Sequence, residues 1–373
     1  MLMNVRNSLK SYFRKPYNVI LWVLVLLLGY LTVIPLVSIV MDTFTVHSSE
    51  VMRLQGAEAG DLTLYHWNKV LADPVTSSKV FYEPFWNTIW ISLGTCFVAI
   101  LLGGLVAWLI TRTNIKYKSF ISTAFVLPYI MPSWTLAMAW LNFFKNPLVG
   151  GAPGLFTVLT GIQTPNWFAY GPFPIVIVQG LHYAPFAYIL IGGILRNMDA
   201  NLEEAATILK AGRARIFIKI TIPIVMPAML STFLLVFSSS MSAFAVPQFL
   251  GAPVRFQVLT TQMYRTINGL NPGYGYVIAL IMILIGVLIL ALNQKITGSR
   301  KSYTTVTGKS SNIALVNLKG LRTPLSVALI AVLLAICILP LISFAVESYS
   351  RTESKGSSFH GQRPVTGSFA VGM

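Results

Sequence analysis

Two adjacent carboxylates, Glu203 and Glu204, stand out in a chain with few acidic residues, and two alanines, Ala205 and Ala206, follow them. The four residues belong to the segment 199–223, which separates two apolar stretches. Acidic side chains suit the positive end of a helix dipole, and small side chains allow close approach of another protein. The pattern predicts a short helix that either docks into a partner's groove or lies on lipid headgroups. Two adjacent acids disfavour an anionic lipid surface, so docking is the favoured interpretation.

The remainder of this segment predicts a turn and then a second short helix. Gly212 is expected to end the first helix, because glycine readily adopts the left-handed conformation that closes many helices. Ile220 belongs to the apolar face of the second helix, and Pro223 opens the next apolar stretch. The sequence thus predicts a helix, a turn and a helix between two apolar stretches.

A second group of polar side chains lies inside the apolar stretches themselves. An ionisable residue within a membrane span is a functional candidate by default, and neutral polar residues there often bond neighbouring helices. Two interpretations therefore stay open for this group, a translocation path or helix-to-helix bonding. Its members are His182, Gln179, Ser238, Ser239, Ser240 and Ser242.

Catalytic and metal-binding patterns are not found in the sequence. It has no His-Glu-x-x-His helix, no Gly-x-Ser-x-Gly turn and no acid pair within an apolar stretch. The two cysteines, Cys96 and Cys337, both lie in apolar stretches and are expected to be small buried hydrophobic residues. The sequence predicts a protein that is not an enzyme and that has neither a cofactor nor a metal site.

The composition requires a membrane to surround most of the chain. Of 373 residues, 55% are hydrophobic and 10% are charged, and the mean hydropathy is +0.70; soluble domains have about 25% charged residues. Backbone groups in lipid must pair within the segment, so long apolar stretches are predicted to be helices. An all-α polytopic membrane protein is expected, with about seven spans at 19–41, 85–110, 120–143, 172–195, 223–246, 274–292 and 324–346.

The placement of the basic residues predicts the orientation of these spans. With the N-terminus inside, 18 of the 27 Lys and Arg residues fall in inner segments. Cytoplasmic loops carry an excess of Lys and Arg, so the N-terminus is expected in the cytoplasm, with the chain crossing the membrane several times. This arrangement also accounts for the net charge of +16 without nucleic acid as a partner.

The segment 199–223 resembles the coupling loop of binding-protein-dependent permeases of ABC importers. In that family Glu-Ala-Ala is followed by a glycine after three residues and then by a run that ends in Ile-x-Leu-Pro. The match consists of Glu204-Ala205-Ala206 and Ile220-Thr221-Ile222-Pro223. Lys210 occupies the glycine position, with Gly212 two residues later, and Ile222 replaces the leucine.

The resemblance implies a permease domain at 85–293 with the type I importer fold, which works by alternating access. By the same resemblance, the loop docks on a cytoplasmic ABC ATPase dimer, and Glu203 and Glu204 pair with basic groups on that ATPase. Implied partners are an extracytoplasmic substrate-binding protein, a second permease half or copy, and membrane lipid. The resemblance also implies that the chain lies in the inner membrane of a bacterial cell. The sequence looks most like the fused iron(III) permeases, and less like those for phosphonate, thiamine or polyamine. The alternative is a secondary transporter or channel without an ATPase, which would favour charged residues within the spans.

An internal repeat suggests how the rest of the chain is organised. Residues 30–38 and 335–343 share a Pro-apolar-apolar-Ser pattern, so the seventh span is expected to repeat the first. The remaining domains are then 1–84, with the tail, first span and outer loop; a linker at 294–322; and 323–373. The last is expected to begin a second permease half that is cut short, the alternative being a short subunit that pairs with another chain.

Overall fold

The computed structural model describes residues 15–52, 54, 56–148, 150, 153–198, 200–298 and 315–359. Both predicted tails and the linker at 294–322 lie partly outside these residues. The regular elements among them are helices, joined by loops. They are α1 (Pro16–Phe44), α2 (Tyr65–Leu71), α3 (Glu83–Arg112), α4 (Lys118–Ile130), α5 (Ser133–Phe144), α6 (Leu155–Thr160), α7 (Asn166–Ala169), α8 (Pro172–Asn197), α9 (Ala200–Ile208), α10 (Arg213–Ile216), α11 (Ile222–Met241), α12 (Ala245–Gly251), α13 (Leu259–Ile267), α14 (Pro272–Gly298) and α15 (Arg322–Phe359).

Six of the helical segments in the described residues are long and apolar enough to cross a membrane, and a bent pair makes up to seven. The all-α class and the number of spans predicted from the sequence are therefore confirmed. The physical reason is that an apolar stretch in lipid has few alternatives to a helix. The six are Pro16–Phe44, Ser78–Arg112, Asn166–Asn197, Ala214–Met241, Pro272–Lys295 and Lys319–Ile342.

The third predicted span, 120–143, is wrong as a single straight helix. It consists of α4 and α5, which meet at an angle of 93°. Met131 and Pro132 form the break, and Met131 has the extended conformation (φ −70°, ψ 138°) that a following proline favours. Because Pro132 has no N–H, it cannot continue the hydrogen bonds of α4.

The fifth predicted span, 223–246, also ends earlier than expected. Helix α11 stops at Met241, and Val246 belongs to the separate helix α12. The Ser242 hydroxyl donates to the carbonyl oxygen of Ser238 at 2.8 Å, and the Ala243 amide donates to Ser240 at 3.2 Å. The Ser242 amide also donates to the carbonyl oxygen of Ser238 at 3.3 Å, so these bonds close the last turn of α11.

The described residues divide into two compact units. The first consists of residues of Met1–Phe85 with Leu259–Val287 and contains α1, α2, α13 and most of α14. Its core has six buried residues: Val70, Phe81, Leu259, Tyr274, Val277 and Ile278. The loop 45–64 joins α1 to α2 and is closed by a bridge between Thr45 and Leu62.

A buried histidine–glutamate pair holds this loop. His66 and Glu50 are 0% and 1% exposed, and Nε2 of His66 lies 2.7 Å from Oε2 of Glu50. Nδ1 of His66 lies 3.1 Å from the carbonyl oxygen of Thr43, at the end of α1. Burial alone raises the pKa of Glu50 and lowers that of His66, but their mutual hydrogen bond and charge reverse both shifts. The pKa of Glu50 is thus lowered and the pKa of His66 is raised.

These shifts predict a pH dependence for the loop. The stabilisation from Glu50 is lost as pH falls through its lowered pKa, and that from His66 is lost as pH rises through its raised pKa. The loop is therefore most protected between the ordinary values of 4.5 and 6.5 and is less protected at higher pH. Hydrogen exchange of residues 45–64 from pH 6 to 9 measures this. We expect His66→Gln to weaken protection at pH 6 and to remove the pH dependence, whereas equal protection of the wild type throughout contradicts the prediction.

The second unit consists of Trp86–Val258 with the described residues of Leu288–Met373. Its largest core cluster is built from α3, α4, α8 and α11, and α15 packs against α4 and α5. Two glycines bring α3 and α8 together. A Cβ on Gly103 would lie 2.3 Å from the carbonyl oxygen of Ala184, and one on Gly180 would lie 2.4 Å from Val98. Small residues at such crossings let the helix backbones approach closely in a membrane protein.

Candidate functional site

The segment 199–223 begins with the predicted short helix, α9, which contains the alanines and both acids. Asp199 lies outside the described residues. Several apolar side chains of this segment face away from the protein, and Ile208 and Leu209 are 81% and 82% exposed. Leu202 is 49% exposed. A helix turn that exposes large apolar side chains outside a membrane span is typical of a surface that binds a partner.

The turn after α9 is closed by Lys210 rather than by Gly212. Lys210 has φ +59°, the left-handed conformation, and the described residues with positive φ do not include Gly212. The Ala211 amide donates to Ala206 at 3.0 Å, and the Lys210 amide donates to Thr207 at 2.9 Å. These two bonds form a Schellman motif, in which glycine is the preferred left-handed residue. Gly212 as the terminating residue is therefore wrong, because the chain turns two residues earlier.

Replacing Lys210 tests this conformation. A non-glycine residue in the left-handed region costs about 1 kcal/mol, and a β-branched residue costs more. We expect Lys210→Gly to raise the melting temperature of the detergent-solubilised protein slightly, and Lys210→Val to lower it. Gly212→Ala is the matched control and should leave the temperature unchanged, since no atom lies within 4 Å of a Cβ there. An equal effect of the glycine and valine variants would argue against the left-handed turn.

The predicted second short helix is not separate from the following span. Residues Ala214–Met241 form one continuous helical segment, with a π turn at Phe217–Thr221. The Ile222 amide donates to Phe217, five residues back, and Pro223 follows without an N–H. Ile220 lies in the π turn and Pro223 in the first turn of α11. The segment therefore leads directly into the membrane-spanning helix.

The side chain of Glu203 points towards the membrane-spanning helices. Its Oε2 lies 3.7 Å from Nη1 of Arg112, the last residue of α3, and Arg112 is 2% exposed. Its Oε1 accepts a hydrogen bond of 2.9 Å from the Thr221 hydroxyl. The sequence does not predict Arg112 and Thr221 as site residues. Nothing in the spacing of these two residues indicates that either one contacts Glu203.

Gln179 and Ser240 come together at a junction of three helices. Oε1 of Gln179 accepts hydrogen bonds from Ser240 of α11 at 2.6 Å and from Thr95 of α3 at 3.2 Å. Gln179 is 1% exposed, and its Nε2 has no hydrogen-bond partner among the described residues. The cluster joins the helices and leaves one buried donor unsatisfied, which a polar group passing between the helices would satisfy.

The other serines have different surroundings. The Ser239 carbonyl accepts a hydrogen bond from the Tyr183 hydroxyl at 3.3 Å. Ser242 is exposed and bonds back to Ser238 within its own turn. The structure therefore brings Ser240, but neither Ser238 nor Ser242, into the Gln179 cluster.

His182 lies at the bend between α4 and α5. Its Nδ1 is 3.0 Å from the carbonyl oxygen of Pro128, which the missing N–H of Pro132 leaves without its helical partner. The proline at position 128 likewise frees the carbonyl of Ala124, which lies 4.0 Å from the Cys337 thiol. His182 thus satisfies an acceptor that the break exposes, and it does not contact the Gln179 cluster in the hydrogen bonds described.

The described residues contain no group of three or more His, Cys, Asp or Glu side chains that could hold a metal ion. Cys96 and Cys337 are both buried, and they are free thiols.

Comparison with known proteins identifies relatives of a large part of this chain. The family model for the binding-protein-dependent transport system inner membrane component matches residues 99–302. The chain is 32% identical over 213 residues to the putative ferric transport system permease protein FbpB 1 of Haemophilus influenzae, covering 56% of this chain and 32% of that protein. It is 31% identical over 231 residues to the ferric transport system permease protein FbpB of Actinobacillus pleuropneumoniae, covering 60% and 32%. The chain therefore spans about one third of the length of these relatives.

Among solved structures, a chain of a bacterial alginate ABC transporter in complex with an alginate pentasaccharide-bound periplasmic protein has the same fold. The TM-score is 0.57 at 16% identity, over 78% of this chain and 96% of that chain. The predicted importer-permease fold is confirmed. Because the family model covers more than half of the sequence, coupling segment included, the chain belongs to the binding-protein-dependent transport system inner membrane components.

Proposed function

We propose that this chain forms part of the substrate pathway of an ATP-driven importer and that α9 with its closing turn docks on a cytoplasmic ABC ATPase dimer. The observation that carries the proposal is the exposed apolar end of α9, with Ile208 and Leu209 more than four-fifths exposed. In a permease, an ATPase bound to this surface can move α9, and the movement passes through the π turn to α11. Closure of the ATPase then favours one of two arrangements of the helices.

Iron(III) is the substrate we propose. The two relatives described above are named as ferric transport permeases, and their identity of about one third supports the same substrate class. The unsatisfied Nε2 of Gln179 and the hydroxyl of Ser240 are proposed to lie on the pathway. The role that we propose for His182 is structural: it bonds the free carbonyl of Pro128 at the bend between α4 and α5.

We propose two further partners on the basis of family membership. An extracytoplasmic substrate-binding protein delivers the substrate, and a second permease half or copy supplies the second coupling loop that an ATPase dimer needs. Eighteen of the 27 basic residues lie in segments that face the cytoplasm when the N-terminus does, which supports that orientation.

Co-purification with the ATPase tests this function. We expect Leu209→Glu to lose at least nine-tenths of the ATPase retained by the wild type, because a carboxylate in the apolar contact loses its hydration without gaining a partner. Leu62→Glu is the matched control: Leu62 is 80% exposed, but it lies in the loop 45–64. It should retain the ATPase. Ferric uptake by liposomes that contain the complete complex then tests the substrate.

Uptake without any ATPase would instead support the secondary transporter or channel. Equal retention of the ATPase by Leu209→Glu and Leu62→Glu would contradict α9 as the docking site. Import of another substrate in preference to iron(III) would overturn the substrate assignment alone.

A further inference from the structure

The carboxylate of Glu203 joins three separate elements of the second unit. It belongs to α9, pairs with Arg112 at the end of α3 and accepts a hydrogen bond from Thr221 in the π turn. The two oxygens divide the contacts, since Oε2 lies 3.7 Å from Nη1 of Arg112 and Oε1 lies 2.9 Å from the Thr221 hydroxyl. One side chain thus ties the proposed docking helix to two spans.

Arg112 depends on this carboxylate because it is almost fully buried. Its Nε and Nη1 have no hydrogen-bond partner among the described residues, and its Nη2 reaches the carbonyl oxygen of Met198 only at 3.5 Å. Burying a guanidinium is expensive unless a counter-charge lies close by, and within the described residues Glu203 is the carboxylate that supplies it. The burial of Arg112 therefore depends on the position of α9, since Arg112 has a counter-charge only when α9 holds Glu203 beside it.

An aromatic contact one turn away strengthens the same junction. The rings of Trp108 in α3 and Phe217 in the π turn meet edge to face, with centroids 6.2 Å apart. Trp108 lies four residues before Arg112, and Phe217 lies four residues before Thr221, so the two contacts follow one face of each helix. The Arg112 carbonyl also accepts a hydrogen bond from Val316 at 2.9 Å, which links α3 to the segment before α15.

We infer that Glu203 is a positioning residue that transmits movement of α9 to α3 and α11 through Arg112 and Thr221, and that it does not contact the ATPase. The inference rests on the proposed function, in which α9 docks on the ATPase. The adjacent acids thus have different roles: Glu203 holds the docking helix against the spans, and the exposed residues of α9 bind the partner. A displacement of α9 pulls on the inner ends of both spans at once.

Thr221 offers a near-isosteric test. Thr221→Val removes the donor to Glu203 with little change in shape, and Thr221→Ser keeps it. We use the full complex of permease, ATPase and binding protein, and measure co-purified ATPase together with the ratio of substrate-stimulated to basal ATP hydrolysis. We expect Thr221→Val and Glu203→Gln to keep the ATPase but to lower this ratio about fivefold or more. Thr221→Ser should stay within about twofold of the wild type. Thr207→Val is a further control, because the Thr207 hydroxyl bonds only within α9 in the hydrogen bonds described.

Three other results overturn the inference in different ways. Loss of the ATPase by Glu203→Gln, with normal stimulation in Thr221→Val, would show that Glu203 contacts the ATPase and would leave the proposed function intact. Failure of the wild-type chain to retain an ATPase would overturn the proposed function and the transmission role with it. Equal stimulation in Thr221→Val and Thr221→Ser would exclude the hydrogen bond as part of the transmission.

Discussion

Glu204→Lys is expected to abolish substrate-stimulated ATP hydrolysis while the protein still inserts into the membrane. Glu204 lies in α9, at the acid position of the coupling-loop pattern. If this acid pairs with basic groups on the ATPase, a lysine replaces attraction with repulsion between like charges at close range. The measurement is ATP hydrolysis by the reconstituted complex with and without the loaded binding protein.

The matched control reverses a charge elsewhere in the same segment. Lys219 lies in the π turn, outside the Glu-Ala-Ala pattern. Lys219→Glu should therefore retain most of the substrate-stimulated ATP hydrolysis. Normal stimulation in Glu204→Lys would contradict the assignment of this residue to the ATPase contact. The outcome also bears on the difference from Glu203, whose carboxylate is engaged with Arg112 and Thr221.

The second large effect is expected at the crossing of α3 and α8. A Cβ on Gly103 would lie 2.3 Å from the carbonyl oxygen of Ala184 and 2.5 Å from the Ala187 methyl group. Because the first of these atoms is backbone, Gly103→Ala must push the helices apart, and overpacking of this kind costs about 1–3 kcal/mol or more. We expect a loss of folded, detergent-stable protein, measured by size-exclusion chromatography after heating.

Gly193→Ala in α8 separates this steric effect from the helix propensity of alanine. No atom lies within 4 Å of a Cβ on Gly193, so this variant should be as stable as the wild type or slightly more stable. If both alanine variants behave alike, the close approach of α3 and α8 at Gly103 is not what stabilises the second unit.

The positions of the helices can be predicted from the sequence, because their physical cause is local. Each apolar stretch must satisfy its backbone hydrogen bonds internally, so length and composition were sufficient to identify the spans. The paired acids also distinguish the segment 199–223 from the other inner segments in the sequence alone. The bend of 93° at Pro132 cannot be predicted in the same way, because an internal proline is also compatible with a kinked but continuous span.

The turn at the end of α9 does not follow the preference of glycine for the left-handed conformation. Gly212 is the better left-handed residue, yet Lys210 has φ +59°. The amides of Ala211 and Lys210 donate to the last turn of α9, and these two hydrogen bonds require the left-handed residue at position 210. The free energy of the two bonds offsets the conformational free energy that a lysine costs in this region.

The sequence by itself determined the membrane class, the number of spans and the segment that carries the family pattern. Only the tertiary structure decided that Glu203 meets Arg112 and Thr221, that Gln179 meets Ser240, and that His182 caps the carbonyl of Pro128. Most of these partners lie on helices far apart in the chain. Which of them meet depends on how each helix is rotated about its axis and how closely glycines such as Gly103 allow it to pack. Hydropathy contains no information on either quantity, because an apolar helix in lipid is nearly as stable in any rotation until its neighbours pack against it.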